Sequence, residues 1–231
     1  MTGSTPALKM VSRHRVKVWL DQFRTQLALD FGSANTRLMV AGELVWHEPT
    51  LLAWHQDQQT VLAIGEQAAQ LAGKTSQAIK LVKPVKKGVI ANLKFAKLYL
   101  QAIFKEKQVQ TAWYQLLPQD LTVAATQDST PLEREQLKRV LSQVGCRPPS
   151  KLKSKTQVLS SLSELQSISG AHGVLAIGAE TFEVGIFSQR EMVQTTSLAR
   201  PQSKDLTRAI QKRVLNEYGL QIDWQTAQWL K

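Results

Sequence analysis

An α/β fold is what this sequence predicts, and three observations point to it. Short apolar runs near 25–31, 36–41, 43–54 and 60–64 read as strands, broken by turn residues. A second set of strand-like runs at 173–178, 181–188 and 190–198 leads into a helical stretch over 203–218 that Gly219 ends. Between the two sets, Thr130-Pro131-Leu132-Glu133 reads as a capping box with proline at the first helical position.

The remaining elements follow in order. A helix is expected over 65–72 and another over about 92–106, with Phe95, Leu98, Tyr99, Ala102 and Ile103 on one face as core. A strand near 120–125 precedes the capped helix, whose buried stripe is Leu137, Val140, Leu141 and Val144 before Gly145 stops it. Residues 147–155 are basic, contain Pro148-Pro149 and read as a loop; a weakly patterned helix over 156–169 ends at Gly170. Two α/β halves joined by a connecting helix result.

The richest local signal is LALDFGSANT at 27–36. Three alternating apolar residues run into Asp30, then into a turn of Gly32, Ser33, Ala34 and Asn35, then into a second strand. A carboxylate at the end of a buried strand must be paired, hydrogen-bonded or near a metal. Small residues leave backbone N–H groups free to cradle an anion. Together they suit a Mg–nucleotide phosphate site with Asp30 toward the metal; the alternative is a hairpin turn of ordinary composition.

Composition narrows the class. The chain has 231 residues, 43% of them hydrophobic, enough for a sizeable core. A single cysteine, Cys146, permits no internal disulfide and suits a reducing compartment. No apolar run approaches the roughly 18 residues of a membrane span, and the N-terminus lacks the apolar core of a secretory signal. A cytoplasmic protein is expected.

The net charge of +11 is uneven: residues 74–107 hold nine lysines against Glu106 alone. Such a cluster attracts lipid headgroups, nucleic acid or acidic proteins, or is simply a solvated face. At the N-terminus, Val16, Trp19, Leu20 and Phe23 share one helical face, with Arg13, Arg15 and Lys17 around them. A segment 1–24 of this kind suits a helix lying in an anionic membrane interface, or one docked on the protein body.

Several motifs in one order now resemble a known family. Residues 27–54, through Glu48-Pro49, are similar to the opening of the MreB family of bacterial actins. So are 61–97, including Gly73-Lys74-Thr75 and the Lys83-Pro84 to Asn92 run. The resemblance implies an actin-like (ribonuclease H-like) ATPase fold, with a first half over 25–155 and a small subdomain inserted at about 50–90. A connecting helix over 156–170 and a second half over 171–231 follow. The chain ends at Lys231, about where the family enters its fourth subdomain, so that second half is expected to be incomplete. On that reading its sheet is left with an open edge, which Trp224 and Trp229 cover or use to meet a partner.

The family's nucleotide machinery is only partly matched. Its second phosphate loop reads Asp-Ile-Gly-Gly-Gly-Thr-Thr-Glu-Val, whereas this chain has Ala176-Ile-Gly178-Ala179-Glu180-Thr181-Phe-Glu-Val184. Two glycines and the acidic residue are gone, and a carboxylate at 180 would repel polyphosphate unless it points away. The catalytic Glu-Glu-Pro should fall near 150–157, where the chain reads Ser-Lys-Leu-Lys-Ser-Lys-Thr-Gln. Lysine at neutral pH is no general base without a large pKa shift. The later Gly-Gly-Asp corresponds to about Pro201-Gln-Ser203, and Asn92 replaces a usual acid.

The resemblance therefore implies a cell-shape protein at the inner face of the membrane without ATP turnover. Bound ATP and Mg are doubtful, and any retained binding rests on Asp30, Gly32, Ser33, Ala34 and Asn35. The alternatives are a working ATP-binding filament former and a basic nucleic-acid-binding module, for which no motif accompanies the charge. Expected partners are anionic inner-membrane lipids and a full-length actin-like paralogue or the cell-wall elongation machinery. Filaments of the chain alone are not expected.

Overall fold

The computed structural model describes residues 25–74, 76–107, 119–146, 151–160, 169–189, 191–198 and 202–231. The N-terminal segment with Arg13, Arg15, Val16, Lys17, Trp19, Leu20 and Phe23 lies outside them, as do Pro148-Pro149, Pro201 and most of the expected connecting helix.

The first half is organised by one mixed sheet. Strands β1 (Thr25–Phe31), β2 (Asn35–Val40) and β3 (Glu43–Pro49) form an antiparallel meander. Strand β9 (Gln119–Ala125) joins β1 in parallel, and β10 (Lys151–Ser154) joins β9, giving the order β10-β9-β1-β2-β3. Helices α2 (Leu93–Glu106) and α3 (Pro131–Gln143) complete this half. Leu27, Leu29, Leu38, Leu121 and Val123 from the strands meet Tyr99, Leu100, Ile103, Phe104, Val140 and Leu141 from the helices in one core. All are at most 2% exposed, so each contributes its full apolar burial, roughly 1.5–3 kcal/mol for a large side chain. Of the face expected on α2, Tyr99 and Ile103 are fully buried, while Phe95, Leu98 and Ala102 pack at its margin.

Helix ends follow the chemistry expected of them. Thr130 accepts from the Glu133 amide while the Glu133 carboxylate accepts from the Thr130 amide, a complete capping box. Asn92 caps α2, its Oδ1 accepting from the Phe95 amide at 3.1 Å. The carboxylate oxygen of Glu48 receives the Glu66 amide at the start of α1 (Gly65–Gln70).

Several expectations are corrected. The run at 43–54 is two strands, because Pro49 has no amide to donate and Thr50 turns away, its own amide donating to Ala34 O. Strand β4 (Leu52–His55) leaves the main sheet and pairs with β5 (Thr60–Ile64) and with β6 (Ile79–Val82), which was not anticipated. A short hairpin of β7 (Val85–Lys86) and β8 (Val89–Ile90) was missed as well. Residues 151–154 are an edge strand, not a loop. Leu152 packs against the core and Ser154 is buried, a period-two arrangement that charge had obscured.

The second half is an antiparallel meander of β11 (Ala171–Ile177), β12 (Phe182–Ser188) and β13 (Glu191–Leu198). One face is packed and one open, as antiparallel sheets allow. Val174 and Ala176 are buried, while Leu175 and Ile177 between them are 59% and 57% exposed. Helix α4 (Lys155–Ser160) leads into this half, one residue earlier than expected. Helix α5 (Ser203–Tyr218) ends at Gly219 in the left-handed region, φ 67°. An unanticipated short helix, α6 (Trp224–Trp229), follows. Trp229 is 85% exposed, so it covers no sheet edge.

Candidate functional site

The loop after β1 and the loop between β11 and β12 face each other across a cleft of about 400 Å³. Ser33, Ala34 and Asn35 from the first loop and Ala179 and Glu180 from the second line it, with Lys204 and Trp224 below. The phosphate-loop residues read from the sequence are thus brought together. The geometry explains Gly32: a Cβ there would lie 2.8 Å from the Asn35 carbonyl oxygen.

Asp30 sits opposite Arg37 in the β1–β2 register, and Arg37 Nη1 donates to Asp30 Oδ2 at 3.1 Å. Its other oxygen, Oδ1, lies 3.7 Å from Lys155 Nζ and has no hydrogen-bond partner. The carboxylate at the end of a buried strand is thus met by two cationic side chains. Lys155 stands at the head of α4, where the resemblance places the family's catalytic acids. Its Nζ also lies 3.6 Å from where a Cβ of Gly178 would be.

Glu180 does not point away from the cleft. Its Oε2 accepts from the Lys87 amide at 2.7 Å and its Oε1 lies 3.9 Å from Lys204 Nζ. Ser33 Oγ accepts from the Gly88 amide at 2.8 Å. In the second loop, the Gly178 amide donates to Thr181 O and the Gly178 carbonyl accepts from the Ser203 amide. Ala176 is buried in β11 and carries no polar group into the cleft.

A residue not singled out from the sequence proves central. Glu183, next but one after Thr181, is fully buried on β12. Its Oε1 accepts from the Gln127 amide at 3.1 Å and its Oε2 from the Lys155 amide at 3.2 Å. Burial pushes its pKa up, opposed by those amides and by the Lys155 charge. Its signal was there: this glutamate matches the family loop although Ala176, Ala179, Glu180 and Phe182 depart from it.

The donor set suits a Mg–triphosphate poorly. The one acidic group of the first loop faces Arg37 and Lys155, and the second loop presents a carboxylate to the space polyphosphate would need.

The order of strands, the paired loops and the cleft between halves define an actin-like protein, and comparison with known proteins agrees. Residues 24–231 match the family model described as MreB/Mbl protein. The cell shape-determining protein MreB of Escherichia coli K12 is 28% identical over 223 residues, 94% of this chain and 63% of that protein. The cell shape-determining protein Mbl of Bacillus subtilis is 26% identical over 211 residues, 90% of this chain and 62% of that protein. Among solved structures, MreB5 of Spiroplasma citri bound to ADP superposes with a TM-score of 0.73 at 26% identity, covering 90% of this chain and 61% of that one. A MamK double helical filament, 14% identical at a TM-score of 0.67, shares the fold alone. The chain belongs to the MreB/Mbl family. It spans about 63% of the length of the MreB it matches.

Glu183 generates a pH test. A carboxyl whose folded pKa is raised contributes stability that is complete below its unfolded pKa, about 4.3, and is lost as pH rises through the folded value. Glu183→Gln does not titrate, so the stability of the native chain relative to this variant should fall as pH rises above about 4.3. Urea unfolding at several pH values checks this; a constant difference would refute it.

Proposed function

We propose that this chain acts as an MreB-type cytoskeletal component in cell shape, at the inner face of the membrane and without ATP turnover. Family membership supports the cytoskeletal part: MreB of E. coli and Mbl of B. subtilis are both named cell shape-determining. One observation carries the absence of ATP turnover, the ion pair of Lys155 with Asp30 at the head of α4. A protonated amine there cannot take a proton from an attacking water, and it neutralises the acid that a metal would need.

The nucleic-acid reading gains no support from the basic stretch. Lys94 Nζ lies 4.4 Å from the Trp54 ring centre and donates to Gln59 Oε1, while Lys107 Nζ lies 5.2 Å from the Trp46 ring centre. Part of the lysine cluster is thereby held against the protein's own aromatic rings. Tyr99 and Phe104 are fully buried and offer no stacking surface.

The cytoskeletal reading is tested by co-sedimentation with filaments of a full-length MreB in Mg-ATP. Co-pelleting is expected, and a chain that stays in the supernatant with or without nucleotide would count against the role. In a steady-state phosphate-release assay the purified chain should show no turnover above buffer. Turnover that Asp30→Ala abolishes would overturn that part of the proposal.

Membrane attachment is proposed for residues 10–24, on the apolar face of Val16, Trp19, Leu20 and Phe23 with Arg13, Arg15 and Lys17 toward the headgroups. Anionic vesicles should shift Trp19 fluorescence to the blue and bind less tightly as salt rises, each basic residue contributing about 1 kcal/mol. Equal binding by Trp19→Glu/Phe23→Glu would show that this face is not the anchor.

A further inference from the structure

We propose that the chain latches its own cleft, with Glu180 and Lys155 standing in for the phosphate and cation that would otherwise bridge the two loops. The proposal rests on the nucleotide-independent reading above and names the groups responsible.

The centre of the latch is the tip of the β7–β8 hairpin. Lys87 and Gly88 both have positive φ, 50° and 77°, so the turn projects two successive amides in a fixed direction. Gly88 N–H donates to Ser33 Oγ of the first loop at 2.8 Å. Lys87 N–H donates to Glu180 Oε2 of the second at 2.7 Å. One turn therefore joins both loops. The space around it is filled: a Cβ on Gly88 would lie 2.1 Å from Thr126 Cγ2 and 3.1 Å from Thr181 Cγ2. Only glycine fits there, on grounds of conformation and of room.

A second bridge runs the other way. Asp30, from the first half, faces Lys155 Nζ at 3.7 Å, and Lys155 lies beside Gly178 of the second loop. The outer oxygen of Glu180 faces Lys204 Nζ, in the first turn of α5, at 3.9 Å. The end of β1 and the second loop thus each supply a carboxylate, and each carboxylate is met by a donor or cation from another element. A bound anion with its cation could make these same connections, but it must give up translational and rotational freedom to do so. Side chains already tethered to the fold lose far less. The closed arrangement then persists with no ligand present, and a polyphosphate entering it must displace a carboxylate from its amide.

Amide hydrogen exchange on the purified full chain tests this, read at Lys87 and Gly88 with and without Mg-ATP. Both amides should be protected in the nucleotide-free chain, and Mg-ATP should leave that protection unchanged. Glu180→Gly should speed exchange at Lys87 by about tenfold or more, equivalent to about 1.4 kcal/mol. Glu180→Gln, which keeps an acceptor oxygen, should retain most of the protection, separating loss of the latch from loss of the fold. Native-like exchange at Lys87 in Glu180→Gly would overturn the proposal, and so would a tenfold gain in protection of the unaltered chain on adding Mg-ATP. The exchange pattern requires no filament, so failure of co-sedimentation and failure of the latch are read separately.

Discussion

The two halves depend on one buried carboxylate. Glu183 lies on β12 of the second half, yet both its oxygens accept amides from elsewhere: Gln127, just beyond β9, and Lys155, at the head of α4. A carboxylate removed from water this completely is tolerable only because each oxygen has a donor. Those donors fix where the first sheet's exit loop and the connecting helix meet the second sheet. The packing around it is equally constrained. Thr156 is fully buried, and a Cβ on Gly185 would lie 3.0 Å from its Cβ. The position of Lys155 follows from this anchor, and β1's pairing with β2 and β9 places Asp30 to meet it.

Much of this was legible in the sequence because periodicity and capping are local. The meander around Asp30, the helix opened by Thr130 and Glu133, and the stop at Gly219 each depend on residues within a few positions of one another. What escaped was set by distant partners. Residues 151–154 carry two lysines and read as a loop, but as an edge strand they need only one buried flank, which β9 supplies. The β7–β8 hairpin has two residues per strand, too few for any alternating pattern to show. Strand β6 becomes a strand only because β4 lies beside it.

The site was half legible for a related reason. Residue types showed an acidic group and small residues at the Asp30 turn, and the family resemblance implied a second loop that departs from its pattern at Ala176, Ala179 and Glu180. They did not show where Glu180 would point, since that depends on an amide 93 residues earlier in the chain. They also gave Lys155 only as the absence of an acid. In the fold it is a cation placed against an anion, which is a different statement.

This distinction bears on how the altered loops should be understood. If residues at a disused ligand site changed without constraint, introduced charges would be left facing like charges or bare apolar walls, at a cost of several kcal/mol when buried. Here both changed positions are matched. Glu180 has the Lys87 amide and Lys204, and Lys155 has Asp30. These pairs are partly exposed, so each ion pair alone is worth little, about 0–1 kcal/mol. Their importance is geometric, because they occupy the hydrogen-bonding capacity of the turn and loops that line the cleft. The hairpin tip donates one amide to a side-chain oxygen on each loop and leaves no room for a side chain at Gly88. On the proposed latch, the turn and the two loops hold one another in place without a ligand, which suits a role that does not depend on nucleotide turnover.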